Sequence, residues 1–561
     1  MFTTQKLKSL CPLALSLSLS LCLLSGCGPD QDTPMAKSSG QVRATSATKL
    51  SSYAAARAAD QVSFGATPAL VAELQQTGLE AWIDAQLAMP VTETQAPSWV
   101  IDFDTKNPAA ESRAGAFPLE DFFRRALTAP DQLRQRVAWS LFEFIPASTG
   151  RPYGHVEYHN LLLRKAFGNY GDLLHDVTIH PMMGFFLNNE LNRPNSPECL
   201  GCSPNENYAR ELLQLFSVGV VQLNADGSTQ RDAQGKALET YTQRDVEELA
   251  RALTGWRNKP SAAKLPEGNW ANFAYPMVPE TLAFLHDRGA KTVMGSPIAA
   301  DQGAEQELHS VIALLMKHQN IAPFVSLRLI QHLVTSDPTP GYIGRVAAVF
   351  RDNGKGVAGD LKAVVRAVLL DPEARRGDQP GVDSTTFGKL REPVQWYSAV
   401  LRGLNCKSAP RSEYQGNANT IAPQNQNPDN PPSVFSFFQA TDRAPGSNLL
   451  APEQKLLNTV ELTSRMGNLH WVFVNTSNTA SASNSANLGC ELDALGKAFD
   501  TSPQAFLDLI SARWFRGAMP PTLRSNLQAL MIGDKNWQTP QEGALTLLQY
   551  ALSSPYFGVI K

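Results

Sequence analysis

The chain has 561 residues, a formal net charge of −3 and 43% hydrophobic residues. On length alone that is enough for one large core or for two to three domains. Lysine and arginine are scattered along it, which removes the electrostatic case for binding nucleic acid or anionic lipid.

The first predicted element is an export signal. Lys6 and Lys8 give a positive start, and no acidic residue precedes Asp30. An apolar run follows from Leu10 to Leu24, shorter than the roughly 20 residues that span a bilayer. Leu24-Ser25-Gly26-Cys27 closes it and resembles the lipobox of bacterial lipoproteins, in which the Cys thiol carries a diacylglyceryl group. The alternative is an ordinary secretory peptide that happens to contain a cysteine. On the lipoprotein reading, residues 1–26 are removed and Cys27 is the lipid-bearing first residue of a chain held in the cell envelope through its membrane anchor. Residue 28 is Gly rather than the Asp that retains such proteins at the inner membrane, so in a Gram-negative host the outer membrane is expected. Residues 27–50 are rich in Ser, Thr, Gly and Ala and read as a flexible tether.

From Ser51 to Lys561 apolar residues recur at helical spacing. Leu119-Phe122-Phe123-Leu127, Leu133-Val137-Leu141-Phe142 and Leu361-Val364-Val365-Val368-Leu369 are examples. The fold class expected is mainly α: one large multi-helical, bundle-like domain with a small β-hairpin excursion and long loops. Two central helices carry end signals. Ser203-Pro204-Asn205-Glu206 places Ser at the N-cap, Pro at the first helical position and Glu where a capping box wants it, with a stop at Gly219. The second begins at Thr242, has Asp245 three residues on and ends near Gly255-Trp256. Between them, Leu223 to Tyr241 contains Asn-Ala-Asp-Gly and Gln-Gly and reads as the hairpin. Residues 259–279, 407–432 and 474–489 read as loops.

Cys11 and Cys22 leave with the signal and Cys27 is lipidated, so Cys199, Cys202, Cys406 and Cys490 remain. In an oxidising compartment four thiols suggest two disulfides. The pairs expected are Cys199–Cys202 and Cys406–Cys490. Cys199 and Cys202 could instead be half a zinc site or a redox pair, but no second C-x-x-C supplies further ligands.

The run Asn205-Glu206-Asn207-Tyr208-Ala209-Arg210-Glu211-Leu212-Leu213, with Phe216 and Gly219, resembles the bacterial domain-of-unknown-function 1800 family. So does Tyr241-Thr242-Gln243-Arg244-Asp245-Val246, continuing through Ala250-Arg251-Ala252-Leu253-Thr254-Gly255-Trp256. Further blocks are His180-Pro181-Met182-Met183-Gly184, Phe284-Leu285-His286-Asp287, Arg391-Glu392-Pro393 and Pro431-Pro432-Ser433-Val434-Phe435. The resemblance implies a large exported helical protein with no accepted activity and no assigned cofactor. A secreted sulfatase-like protein, often encoded beside members, is the partner it suggests.

No established catalytic motif is present. The candidate site is a set of polar residues on the helices: Glu206, Arg210, Asp245, Arg251, His286 and Lys291. Glu206–Arg210 and Glu247–Arg251 are each one turn apart in the favourable acid-before-base order. They read either as surface ion pairs or as a buried network lining a cleft between the two helices. His286 and Lys291 could supply acid–base and anion-stabilising groups, with Asp287 capping a turn. His175 and His180, five residues apart, fit packing or capping better than a shared metal. The function expected is an envelope lipoprotein that binds or scaffolds a secreted partner or cell-surface polymer. The alternatives are an envelope hydrolase using this cluster and a metal-binding protein using Cys199 and Cys202.

Overall fold

The stretch Leu361–Leu370 shows how this sequence becomes helix. Its five apolar positions fall on one face and are buried, and Asp360 caps its start by accepting from the Ala363 amide at 3.3 Å. That face packs on helices Ile321–Leu333 and Pro340–Arg351. The computed structural model describes residues 49–561 apart from 198–199, 261–264, 266–268, 382–385, 409–424, 476–487 and 534–536. Cys27, the signal and nearly all of the tether lie outside these residues. The described residues form 21 α-helices and a few two-stranded antiparallel sheets, so the fold is mainly α. Among them no helix is long and apolar enough to cross a membrane.

Helices Gln132–Phe144, Ile321–Leu333 and Pro393–Gly403 are buried on almost every face, polar residues included. The first packs on the second and on Pro152–Lys165. They form the heart of the core, and they also bring charge into it, through Arg136 and Glu143 on the first and His332 on the second. The chain's late end returns to its early part. Val559–Ile560 pairs with Lys389–Leu390, Arg57 Nε donates to the Lys561 carbonyl at 2.5 Å, and Arg391 grips Asp60 with both terminal nitrogens at 3.1 and 2.7 Å.

The excursion after the first central helix is more than a hairpin. Segments 220–224, 228–232 and 236–240 each pair with both of the others, through bridges Val221–Glu239, Leu223–Thr229 and Arg231–Ala237. Two tight turns make this possible. Gly227 and Gly235 take φ of 81° and 83°, a left-handed conformation that glycine adopts without steric cost. Asn320 holds the base of this unit: its Nδ2 donates to the carbonyls of Val218 and Val221, both at 2.8 Å, and its Oδ1 accepts from the Leu223 amide at 2.9 Å.

The two central helices run Asn207–Gln214 and Gln243–Ala252. The second has the expected capping box between Thr242 and Asp245. The first does not start at Ser203. Asn205 is held by Asn192, whose Oδ1 accepts from its amide at 2.7 Å, and Asn205 Oδ1 then accepts from the Asn207 amide at 2.9 Å. This distant tether delays the helix by one turn. The helices pack together and bury Tyr208, Leu212, Val246 and Leu253.

A disulfide joins Cys406 to Cys490, beside the pairing of Lys407–Ser408 with Leu488–Gly489. Cys202 is disulfide-bonded, and Cys199 lies outside the described residues. Of the three stretches expected as loops, 261–264, 266–268, 409–424 and 476–487 also lie outside them. Val278–Pro279 forms a short strand against Trp256–Arg257.

Candidate functional site

The six residues nominated by the sequence do not converge on one site. Glu206 and Arg210 pair at 2.8 Å with both side chains about a third exposed. Arg210 reaches the second helix at Gln243, at 2.9 Å, and meets neither Asp245 nor Arg251. Asp245 is occupied by the capping box and by the Met294 amide at 2.6 Å. Arg251 turns from Glu247 to Glu248, at 2.8 Å, and to Asp287, which it holds through Nε at 2.8 Å and Nη2 at 3.0 Å. Asp287 also caps its turn by accepting from the Gly289 amide.

Lys291 and His286 do join Arg251, in a buried clasp. The Lys291 ammonium spends its three hydrogens on the carbonyls of Asp287 and Gly289, at 2.5 and 2.9 Å, and on Glu307 Oε1 at 2.7 Å. Burial pushes Glu307 up to about 7 and pulls His286 down, while its Nδ1 lies on the Thr254 carbonyl at 2.9 Å. A saturated ammonium has no donor left for a ligand, so this group fastens the loop of Lys291 to helix Ala304–Lys317. His180 caps helix Pro181–Phe186 by accepting from the Met182 amide at 3.2 Å. His175 pairs with Asp176 and Glu305, at 2.9 and 3.0 Å.

A different place combines titratable groups with space. A cavity of about 500 Å³ is walled by Leu215, Val221, Phe324, Phe435 and Phe438, among others, with Glu143 and His332 in its lining. Glu143 ends one buried helix and His332 ends the next, so the packing of the two helices brings them together. His332 Nδ1 lies 3.0 Å from Glu143 Oε2, close in distance but outside hydrogen-bond geometry, and its ring is flanked by Phe144 and Phe438, at 6.0 and 5.8 Å. The Gln426 amide bridges Glu143 Oε1 and Glu392 Oε2, each at 2.9 Å. Lys389 sits on Glu392 at 2.7 Å and donates to the His332 carbonyl at 3.0 Å. Arg136 also donates to that carbonyl. Glu453 completes the group, accepting from Ser336 Oγ with both oxygens.

Three buried carboxyls therefore share two buried cations. Burial and then the neighbouring Glu392 raise Glu143 well above the ordinary carboxylate range. Burial is the largest single influence on Glu392 too, but Lys389, the contact with Glu143 and Arg136 together outweigh it and hold that carboxyl below its usual range. The pair keeps one proton, on Glu143, as two adjacent carboxyls must when both cannot ionise. Burial pulls His332 down to about 3, so its ring is neutral. Among the described residues its Nε2 makes no hydrogen bond to the protein. The ligand atoms of Glu143, His332 and Glu392 lie within 4.8 Å of one another, spacing that a cation could bridge. Lys389 and Arg136 already supply positive charge there, and the shared proton supplies the rest.

The family model described as "Protein of unknown function (DUF1800)" matches residues 57–559. The chain belongs to that family. No curated protein and no solved structure matches it. Several blocks that carry the DUF1800 resemblance meet at this cavity: Gly219, Val434 and Phe435 line it, and Glu392 stands behind Glu143. Glu143, His332, Lys389 and Arg136 are not among the residues that the sequence nominates, and Glu392 stands there only within a family block. For Glu143 and His332 the available signal is charge inside apolar helical runs, as in Leu141-Phe142-Glu143-Phe144 and Leu329-Ile330-Gln331-His332-Leu333.

Proposed function

We propose that this chain is an exported envelope lipoprotein, anchored through Cys27, that binds a small molecule in the cavity and acts on it as an acid–base hydrolase. Glu143 is the proton donor and His332 the neutral imidazole that carries the proton to or from the bound molecule. The observation that supports this is a protonated carboxyl paired with an imidazole in the lining of a largely apolar cavity. Titratable partners pushed in opposite directions are the usual mark of an assigned acid and base. The adjacent Glu392, held ionised beside Lys389, keeps the proton on Glu143, and Phe144 and Phe438 flank the imidazole. Scaffolding of a secreted sulfatase-like partner rests on the family resemblance alone.

The test is turnover of a panel of chromogenic esters, phosphodiesters and glycosides by the purified chain. Glu143→Gln and His332→Gln should each lower turnover by about 10²–10⁴-fold, the usual worth of a positioned acid or base, with the helical circular dichroism unchanged. Activity should fall toward alkaline pH as Glu143 loses its proton. Undiminished turnover in both variants, or none of any bond class by the parent, would overturn the reading. In cells, Cys27→Ser should move the protein out of the membrane fraction.

A further inference from the structure

Arg328 lies on helix Ile321–Leu333 and lines the same cavity. Its Nη1 is shut off from solvent and has no partner. Among the described residues its guanidinium makes no hydrogen bond and no ion pair, and its contact is the Phe324 ring, 4.8 Å from the centre of charge. Other interior arginines each hold hydrogen-bond partners, although single nitrogens such as Arg57 Nη2 are left without one. Arg402 donates to the carbonyls of Gly65, Ala126 and Leu127, Arg57 to two carbonyls and Asp378, and Arg391 to Asp60 and the Phe557 carbonyl. Burial lowers Arg328 to about 10, which leaves it charged at neutral pH. Arg328 is partly buried, and a charge with one nitrogen sealed from water and unpaired favours a counter-charge. Here the space beside it is open.

We propose that Arg328 is the anchor for the anionic head of the cavity's ligand, a molecule with one negative charge on an apolar body. Resting on the acid–base reading of this cavity, the assignment names its substrate class. A single charge matches Arg328, because the other arginine of the lining, Arg443, is exposed to water and donates to the Asn448 carbonyl. The neighbouring Glu143 is protonated and His332 neutral, so neither offsets a second one. The planar fork of a guanidinium suits a carboxylate or another oxyanion held by two oxygens. Leu327, Phe324, Phe435 and Phe438 provide the apolar walls. Arg328 and His332 are four residues apart on one helix, so they share a face, with about 5–6 Å between their Cβ atoms. A ligand anchored at Arg328 therefore presents to His332 a bond about one helical turn from its anionic group.

The test uses octanoate, octanol and octyl phosphate as probes of equal chain length, with binding followed by calorimetry on the full folded chain. Octanoate should bind about tenfold or more tighter than octanol, and octyl phosphate, as a dianion, should gain nothing over octanoate. Arg328→Met keeps the bulk and removes the charge. It should abolish the preference for octanoate while raising the melting temperature of the unliganded protein. Arg328→Lys should fold and keep a weaker preference, which guards against misfolding of the first variant. Equal binding of octanoate and octanol by the parent, or an anion preference that survives Arg328→Met, would overturn the assignment. His332→Gln separates the two proposals because it should lose turnover and keep octanoate binding. Octanoate selectivity without any His332-dependent turnover would sink the hydrolase reading and leave the anion site standing. Turnover confined to neutral substrates would do the reverse.

Discussion

An ion pair costs little where water reaches it, and a great deal where water does not. Lys291 and Glu307 have fully buried side chains, whereas Arg210 and Glu206 are each more than a third open or close to it. Lys291→Ala should therefore destabilise the protein by about 3–5 kcal/mol at pH 8, because it strands a buried carboxylate. Glu307 is pushed up to about 7, so at pH 5 it is protonated and the same substitution should cost less. Arg210→Ala should cost at most about 1 kcal/mol at either pH. Thermal denaturation of both variants at the two pH values checks this. A large loss for Arg210→Ala would place a buried network between the central helices after all.

At the scale of elements, the late region around Leu488–Gly489 is joined to the end of helix Pro393–Gly403 by the Cys406–Cys490 bond, which spans 84 residues of sequence. Closing a loop of that length restricts the unfolded chain, and Cys406→Ser with Cys490→Ser should lower stability by about 2–4 kcal/mol in chemical denaturation. An unchanged midpoint would mean that the region is held by packing alone. Signals written within a few residues were legible in the sequence: the Thr242–Asp245 capping box, the glycine turns at 227 and 235, and the apolar stripe of Leu361–Leu370. Features fixed by distant partners were not. Ser203 carries every local mark of an N-cap, yet Asn192 decides where the helix begins. The pairing of Glu143 with His332 spans the packing of two helices, and no spacing within either one reveals it. Arg251 likewise chooses Asp287 over the neighbour that the helical rule favours.

For the molecule as a whole, buried imidazoles make acid the weak side. Burial holds His155 down to about 3, and His159, His180 and His332 to similar values. In the unfolded chain a histidine takes its proton near pH 6.5. Each such group therefore contributes stability that is complete above that pH and is lost as pH falls toward 3. His155 is the cleanest case, since burial is the sole cause of its shift and its Nδ1 has no partner. His155→Phe should gain on the parent by about 1.4 kcal/mol for each pH unit below 6.5, read from urea denaturation between pH 7 and 4. Parallel stability curves for the two proteins would show that this imidazole stays accessible to protons in the folded state.

The three-way unit between the central helices also has a bearing on how this architecture can be altered. Val220, Val221, Leu223, Gly227, Ser228 and Thr229 form part of the cavity wall, and the unit that carries them is bonded largely to itself and pinned through Asn320. Substitutions at Val221, Ser228 and Thr229 would reshape that wall while the helices bearing Glu143, Arg328 and His332 stayed in register. The tip at Gly227 packs on Ile343 of helix Pro340–Arg351, so new specificities would come from side chains on this wall and not from a longer turn there.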